Sequence, residues 1–180
     1  MKRLTLLRHA KSGWDDPVAR DFDRPLNEKG KRGARTIGHY LREHGLHYDR
    51  IAGSPAVRVV ETLEEVAAAL GETIAPAWDK RIYLASCVTL LDVVHDTPDD
   101  VGSLLMVGHN PGLEDLILML VPDKAGDAAR DQVEEKFPTA SIAEIEFDAD
   151  RWEDLRPGTG RLVRFVRPRD LDPALGPDRH

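Results

Sequence analysis

Apolar residues fall along this chain in two rhythms. Residues 4–7 and 104–107 are short, β-prone, largely apolar runs, and each stops abruptly, the first at Arg8-His9 and the second at Gly108-His109. Runs of that length bounded by polar residues read as buried strands. The other rhythm is helical. Ala34, Ile37 and Leu41 form one stripe from Asn27 onward, with Gly45 as a stop. Ser54-Pro55 reads as an N-cap and first-turn proline for the clearest stripe in the chain: Ala56, Val59, Val60, Leu63, Val66, Ala67 and Leu70, ended by Gly71. A further helix is expected over 86–95 with Leu91 and Val94 inward. Asn110-Pro111 repeats the cap-plus-proline start ahead of Leu113, Leu116, Ile117 and Leu120.

Shorter elements fill the gaps. Residues 50–53 and 72–75 read as brief strands, while 142–147 and 161–166 alternate. Gly158-Thr159-Gly160 supplies a turn for a hairpin-like pair at one side of the sheet. Residues 11–26 are loop, 123–136 polar helix or loop, and the stretch after Pro168 an extended or frayed end. Strands alternating with amphipathic helices predict a three-layer α/β/α sandwich, with helices on both faces of a central, mostly parallel sheet. Residues 1–167 are expected to form one domain and 168–180 a C-terminal tail. In such folds ligands gather where strand C-termini meet helix N-termini.

Composition narrows the function. The 180 residues carry 25 basic and 32 acidic side chains, a formal charge of −7. That balance argues against a nucleic-acid partner and, taken over the whole surface, against anionic substrates. The lone Cys87 can form neither an internal disulfide nor a thiolate metal site, which favours a reducing compartment. The opening apolar run is too short for a signal-peptide core, and no stretch approaches a membrane span. A soluble cytoplasmic protein with no membrane partner is the expectation. His39, His44, His47 and His95 lack ligand-like pairing and read as surface side chains.

Three segments carry unusual chemistry: Leu6-Leu7-Arg8-His9-Ala10-Lys11-Ser12, Ser54-Pro55-Ala56-Val57-Arg58 and Val107-Gly108-His109-Asn110-Pro111. Singly, each has a structural explanation, because a histidine can cap a strand and a first-turn arginine is usually solvated. Together they bring two arginines and two histidines to one sheet edge. Such a pocket is costly unless an anion fills it, and the guanidinium fork matches phosphate oxygens. Helices opening near Ser54 and Asn110 add backbone N–H donors.

The ordered set of Arg-His, Ser-Pro-x-x-Arg and Gly-His-Asn-Pro resembles the histidine phosphatase superfamily, whose fold is phosphoglycerate-mutase-like. The short chain and the Asp23-Arg24-Pro25-Leu26 run followed by Gly30 are most similar to the SixA-type phosphohistidine phosphatases. The resemblance implies His9 as a transiently phosphorylated nucleophile, with Arg8, Arg58 and His109 binding the phosphoryl oxygens. It implies Arg24 as a further phosphate ligand. Asn110 and Ser12 are candidate substrate-binding residues. Neither a metal nor another cofactor is implied, because the arginines take the charge-neutralising role.

The pattern breaks in one place. Relatives that cleave phosphate esters carry a glutamate acid after the second helix, whereas the corresponding stretch here is Asp79-Lys80-Arg81-Ile82-Tyr83-Leu84-Ala85-Ser86, with Leu84 or a neighbour at that position. A phosphoramidate places less demand on such an acid, since its imidazole leaving group can already be protonated. Asp21 is the candidate substitute acid, with Asp15 and Asp79 behind it, and Trp14 is a candidate pocket wall. Three readings follow. The first is a phosphatase acting on a phosphohistidine protein or a small phosphorylated molecule. The second is a phosphoglycerate-mutase-like mutase or phosphomonoesterase, and the third an inert phosphate- or phosphopeptide-binding module. The oligomeric state stays open.

Overall fold

The computed structural model describes residues 1–13 and 20–177. Trp14 and Asp15, named above as pocket wall and acid, lie outside the described residues. Strand β1 (Lys2–Arg8) runs through the middle of a six-stranded sheet. The other strands are β2 (Arg50–Gly53), β3 (Ala77–Trp78), β4 (Ser103–Gly108), β5 (Ile142–Phe147) and β6 (Arg161–Val166), in the order β3-β2-β4-β1-β5-β6. The first four in that order are parallel, and β5 and β6 join antiparallel.

Helices cover both faces, which explains why the middle of β1 and β4 is mostly apolar rather than alternating. Leu4, Leu6, Leu104 and Met106 point into a core shared with α3 (Cys87–His95), α4 (Gly112–Leu120) and α5 (Ala128–Glu135). Leu7, Leu105 and Val107 point the other way, onto α1 (Glu28–Glu43) and α2 (Val57–Leu70). The three-layer expectation holds, with a mixed sheet. Strand β5 is buried on both faces as well. Glu144 is its one buried acid, accommodated by ion pairs to Arg3 and Arg164, each at 2.9 Å.

Several local readings change. Helix α2 begins at Val57 and its cap is Ala56, so Ser54 is not the N-cap. Helix α4 begins at Gly112, with Pro111 rather than Asn110 in the cap position. The short strand expected at 72–75 instead forms at Ala77–Trp78, where Ala77 and Trp78 meet Ala52 and Gly53 of β2. On α3 the buried residues are Leu90, Val93 and Val94, and Leu91 is half-buried. β5 and β6 do pair, through a long connection containing a 3-10 turn at Trp152–Asp154. His95 is half-buried, with Nε2 2.8 Å from the Leu155 carbonyl.

Residues 168–177 are not frayed. They form a short helix, α6 (Pro168–Leu171), then a 3-10 turn at Pro173–Leu175. Arg32 pairs with Asp172 at 2.5 Å and Lys29 donates to the Gly176 carbonyl at 2.7 Å, so this segment docks on α1. Proline and charge density suggested disorder, but long-range polar contacts to one helix overrode it.

Candidate active site

Every chemistry-bearing segment meets at the C-terminal ends of β1, β2 and β4. His9 follows β1 directly, and its N–H donates to the Gly108 carbonyl at 3.0 Å, extending the β1–β4 pairing by one residue. The next N–H, of Ala10, donates to Thr62 Oγ1 at 2.9 Å, and that hydroxyl donates to the Arg58 carbonyl at 2.6 Å. Thr62, on the first half of α2, therefore ties the His9 turn to the helix that carries Arg58. Gly30 of α1 admits the same turn. A Cβ there would stand 1.9 Å from the Lys11 carbonyl oxygen, so any side chain would drive the segment outward.

The His9 imidazole is buried, and Nδ1 lies 2.7 Å from the Ala10 carbonyl oxygen. A carbonyl only accepts, so Nδ1 carries the proton and Nε2 keeps its lone pair. Burial pulls the pKa down; the bond to Ala10 opposes this, and Arg8, His109 and Arg58 add to it, leaving a value of about 3. His9 is thus a neutral, oriented imidazole with a free Nε2 lone pair throughout the physiological range.

His109, at the end of β4, is buried with its ring centroid 5.3 Å from that of His9. Arg58 Nη2 donates to its Nδ1 at 3.3 Å, so in the neutral ring the proton sits on Nε2 and is given to Ser54 Oγ at 2.8 Å. Ser54 serves His109 instead of capping α2. Burial and then Arg58 lower the His109 pKa to about 4.

Arg58 is almost wholly buried. Its Nη1 donates to the Asp21 carbonyl at 2.9 Å and its Nη2 to Asp21 Oδ2 at 3.0 Å. Arg24 Nη2 reaches Asp21 Oδ1 at 3.0 Å, and the Tyr83 hydroxyl donates to Oδ2 at 2.7 Å. Asp21 thus joins the site, but its expected role as an acid changes. Burial would raise its pKa, yet the bonds from Tyr83, Arg24 and Arg58 prevail and hold it at about 2. A carboxylate ionised that far down accepts hydrogen bonds and has no proton to give. Tyr83 escaped the sequence reading. It also packs edge-on against His109 and Phe22, with centroids 5.4 and 5.1 Å away. A single tyrosine in a loop carries no periodic signal that would have found it.

Arg8 closes the site on the β5 side. Its Nη1 donates to the Phe137 carbonyl at 3.2 Å, and Asn110 Nδ2 donates to the same oxygen at 2.8 Å. Asn110 Oδ1 also accepts from the Glu114 N–H at 3.3 Å, so the Asn110 amide is engaged in holding the loop and the start of α4. Ser12 likewise gives its hydroxyl proton to the Pro25 carbonyl at 2.6 Å, and its own carbonyl receives Arg24 Nη1 at 3.3 Å. The Ser12 hydroxyl proton is committed to the Pro25 carbonyl, whereas Asn110 Nδ2 keeps a second N–H beyond the one given to Phe137. Asp79 is outside the cluster: it caps the 3-10 turn Lys80–Ile82 and pairs with Arg81 at 2.8 Å. Leu84 is exposed, with φ of 49°. Among the described residues, the buried Nε atoms of Arg8 and Arg58 have no hydrogen-bond partner. Buried donors of that kind call for an acceptor, and in a pocket of guanidiniums the fitting acceptor is an oxyanion.

Comparison with known proteins agrees with this geometry. Residues 4–81, which include Arg8, His9, Arg24 and Arg58, match the family model of the histidine phosphatase superfamily, branch 1, and the chain belongs to that superfamily. It is 37% identical over 164 residues to an uncharacterized protein of Mycobacterium tuberculosis, covering 91% of this chain and 100% of the relative. Within the superfamily the chain is SixA-like. A candidate SixA phosphohistidine phosphatase from Agrobacterium tumefaciens superposes with a TM-score of 0.76 at 30% identity, covering 93% of this chain and 98% of that one. The phosphohistidine phosphatase SixA of Escherichia coli is 26% identical over 154 residues, which is 81% of this chain and 86% of the relative.

Proposed function

We propose that this protein is a phosphatase that works through a phosphorylated His9, with phosphohistidine as its preferred substrate. The observation that carries this reading is the state of His9: buried, neutral, fixed by the Ala10 carbonyl through Nδ1, and set among Arg8, Arg58 and His109. Nε2 attacks the phosphorus in line while the leaving group departs, and water then hydrolyses the phosphoimidazole. Arg8 and Arg58 take the equatorial oxygens as charge spreads over them, and Arg24 holds the phosphoryl group from the opposite loop. The phosphoryl group displaces the Asp21 carboxylate from these guanidiniums. A dianion beside Arg58 stabilises a proton taken up from solvent on His109 Nδ1, which turns that nitrogen from acceptor to donor. Guanidinium charge does the neutralising work in this scheme, so no step is assigned to a metal.

The substrate preference rests on the acid that the site does not supply. Leu84 and Ala85 stand in the stretch after α2 where esterases of the family carry a glutamate. An alkoxide needs that proton; a protonated imidazole does not. A cytoplasmic setting belongs to the same reading, supported by the single free cysteine, Cys87, and by the absence of any helix long and apolar enough to cross a membrane among the described residues. The test compares kcat/KM on a phosphohistidine peptide and on an alkyl phosphate monoester. The phosphohistidine donor is expected to lead by at least a hundredfold, and a preference for the ester overturns the assignment.

A further inference from the structure

A cavity of about 300 Å³ lies between the end of β1, the first turns of α1, the turn at 136–140 and the C-terminal segment, with Arg8 in its wall. Six cationic residues line it: Arg8, Lys11, Lys29, Lys136, Arg167 and Arg169. No aspartate or glutamate does so among the described residues. In a chain of net charge −7 this is a marked local reversal of sign, and a concave site of one sign concentrates the opposite charge. Part of the charge is already committed: Lys29 donates to Gly176, and Arg167 pairs with Asp170 at 2.8 Å. Lys136 and Arg169 make no side-chain hydrogen bond or ion pair among the described residues, and the buried Arg8 Nε has no partner there. Pro138, Pro168 and Leu175 give the cavity apolar walls. Its volume suits one small acidic group and the carbons that carry it, at the lower end of ligand-sized pockets.

We propose that this cavity is a second anion subsite, which holds a carboxylate or phosphate borne by the same substrate whose phosphoryl group is placed on His9. Arg8 is the shared wall: its guanidinium serves the phosphoryl group on one side and the second anion on the other. Lys136 and Arg169 supply the charge that discriminates. The docked C-terminal segment completes the cavity, which gives an ordered role to a stretch whose composition suggests a loose tail. The proposal deepens the phosphatase reading and rests on it, narrowing the substrate to one that carries two anionic groups.

The test uses three phosphohistidine tripeptides that differ in the neighbouring residue: alanine, glutamate or phosphoserine. With the wild-type protein, kcat/KM is expected to be at least tenfold higher for the two acidic donors than for the alanine donor, and their order tells carboxylate from phosphate. In the Lys136→Ala/Arg169→Ala variant that ratio falls below threefold. Lys136→Glu, at an exposed position, checks the effect without relying on the double variant's fold. Equal kcat/KM for all three donors in the wild type, or a ratio that survives in both variants, overturns the subsite. Calorimetric titration with tripolyphosphate and orthophosphate separates the two claims. Tighter tripolyphosphate binding that depends on Lys136 and Arg169, without turnover of any peptide, sinks the phosphatase reading and keeps the subsite.

Discussion

Two buried neutral histidines should make this protein acid-sensitive by an amount that can be worked from the site. The ordinary histidine pKa of 6.5 falls to about 3 at His9 and about 4 at His109, mainly through burial. Protons bind the unfolded chain first as the pH drops, so the folded state loses relative stability from 6.5 downward, and the loss continues to the folded values. Above 6.5 neither residue costs anything. Each pH unit within the window is worth about 1.36 kcal/mol per histidine. Between pH 8 and pH 5 the two together should therefore remove about 4 kcal/mol, a large part of the stability of an ordinary domain. Urea unfolding at both pH values measures it directly, with His9→Gln and His109→Gln as references. Each variant should lose about 2 kcal/mol less than wild type across the interval, because all other titrating groups are common to both proteins. If wild type and both variants lose the same stability, the histidines are not buried neutral, and the account of His9 as a ready nucleophile fails with them.

Other perturbations separate the parts of the site. Arg58→Ala and His109→Ala should each lower kcat by a factor on the order of 10² to 10³, the scale for losing one preorganised donor to transition-state charge, and a loss under tenfold at both would mean the oxyanion pocket is wrongly placed. Thr62→Val leaves the Ala10 N–H without its acceptor, and should cost about 1–3 kcal/mol in denaturant unfolding while lowering turnover through the displaced His9 turn. An unchanged midpoint contradicts that tie. Asp21→Asn removes the carboxylate that competes for Arg24 and Arg58, so inhibition by inorganic phosphate should tighten several-fold. Weaker inhibition would show that Asp21 serves chiefly to aim those guanidiniums.

The sequence disclosed the strands and the residues at their ends because both depend on local pattern. Residues 4–7 and 104–107 are buried on both faces and apolar but for Thr5, as a covered sheet requires, and Arg8, His9 and His109 stand where each run breaks. What stayed hidden depends on distant partners. Ser54-Pro55 has the local form of a helix start, yet the Ser54 hydroxyl goes to His109 and the helix waits until Val57. Strand β3 contributes only Ala77 and Trp78 to the sheet, too few for an alternation to register. Asp21 reads from the sequence as a candidate acid; three donors, two of them from distant segments, make it a fixed anion instead. Thr62 and Tyr83 act through one hydroxyl each, and a single hydroxyl leaves no period. The C-terminal segment reads as loose by composition, but its contacts to Lys29 and Arg32 lie more than a hundred residues away in the chain. The charge of −7 likewise sums the whole surface and does not register that Arg8, Arg24 and Arg58 stand together at one sheet edge.

The central claim is that His9 Nε2 accepts a phosphoryl group. Incubating the protein with a radiolabelled activated phosphoryl donor, quenching in alkali and mapping the label by peptide mass spectrometry tests it directly. An acid-labile, base-stable phosphate is expected on Nε2 of His9, forming and decaying at least as fast as turnover and absent from His9→Ala. Label on another residue, or turnover that persists in His9→Ala, would contradict it.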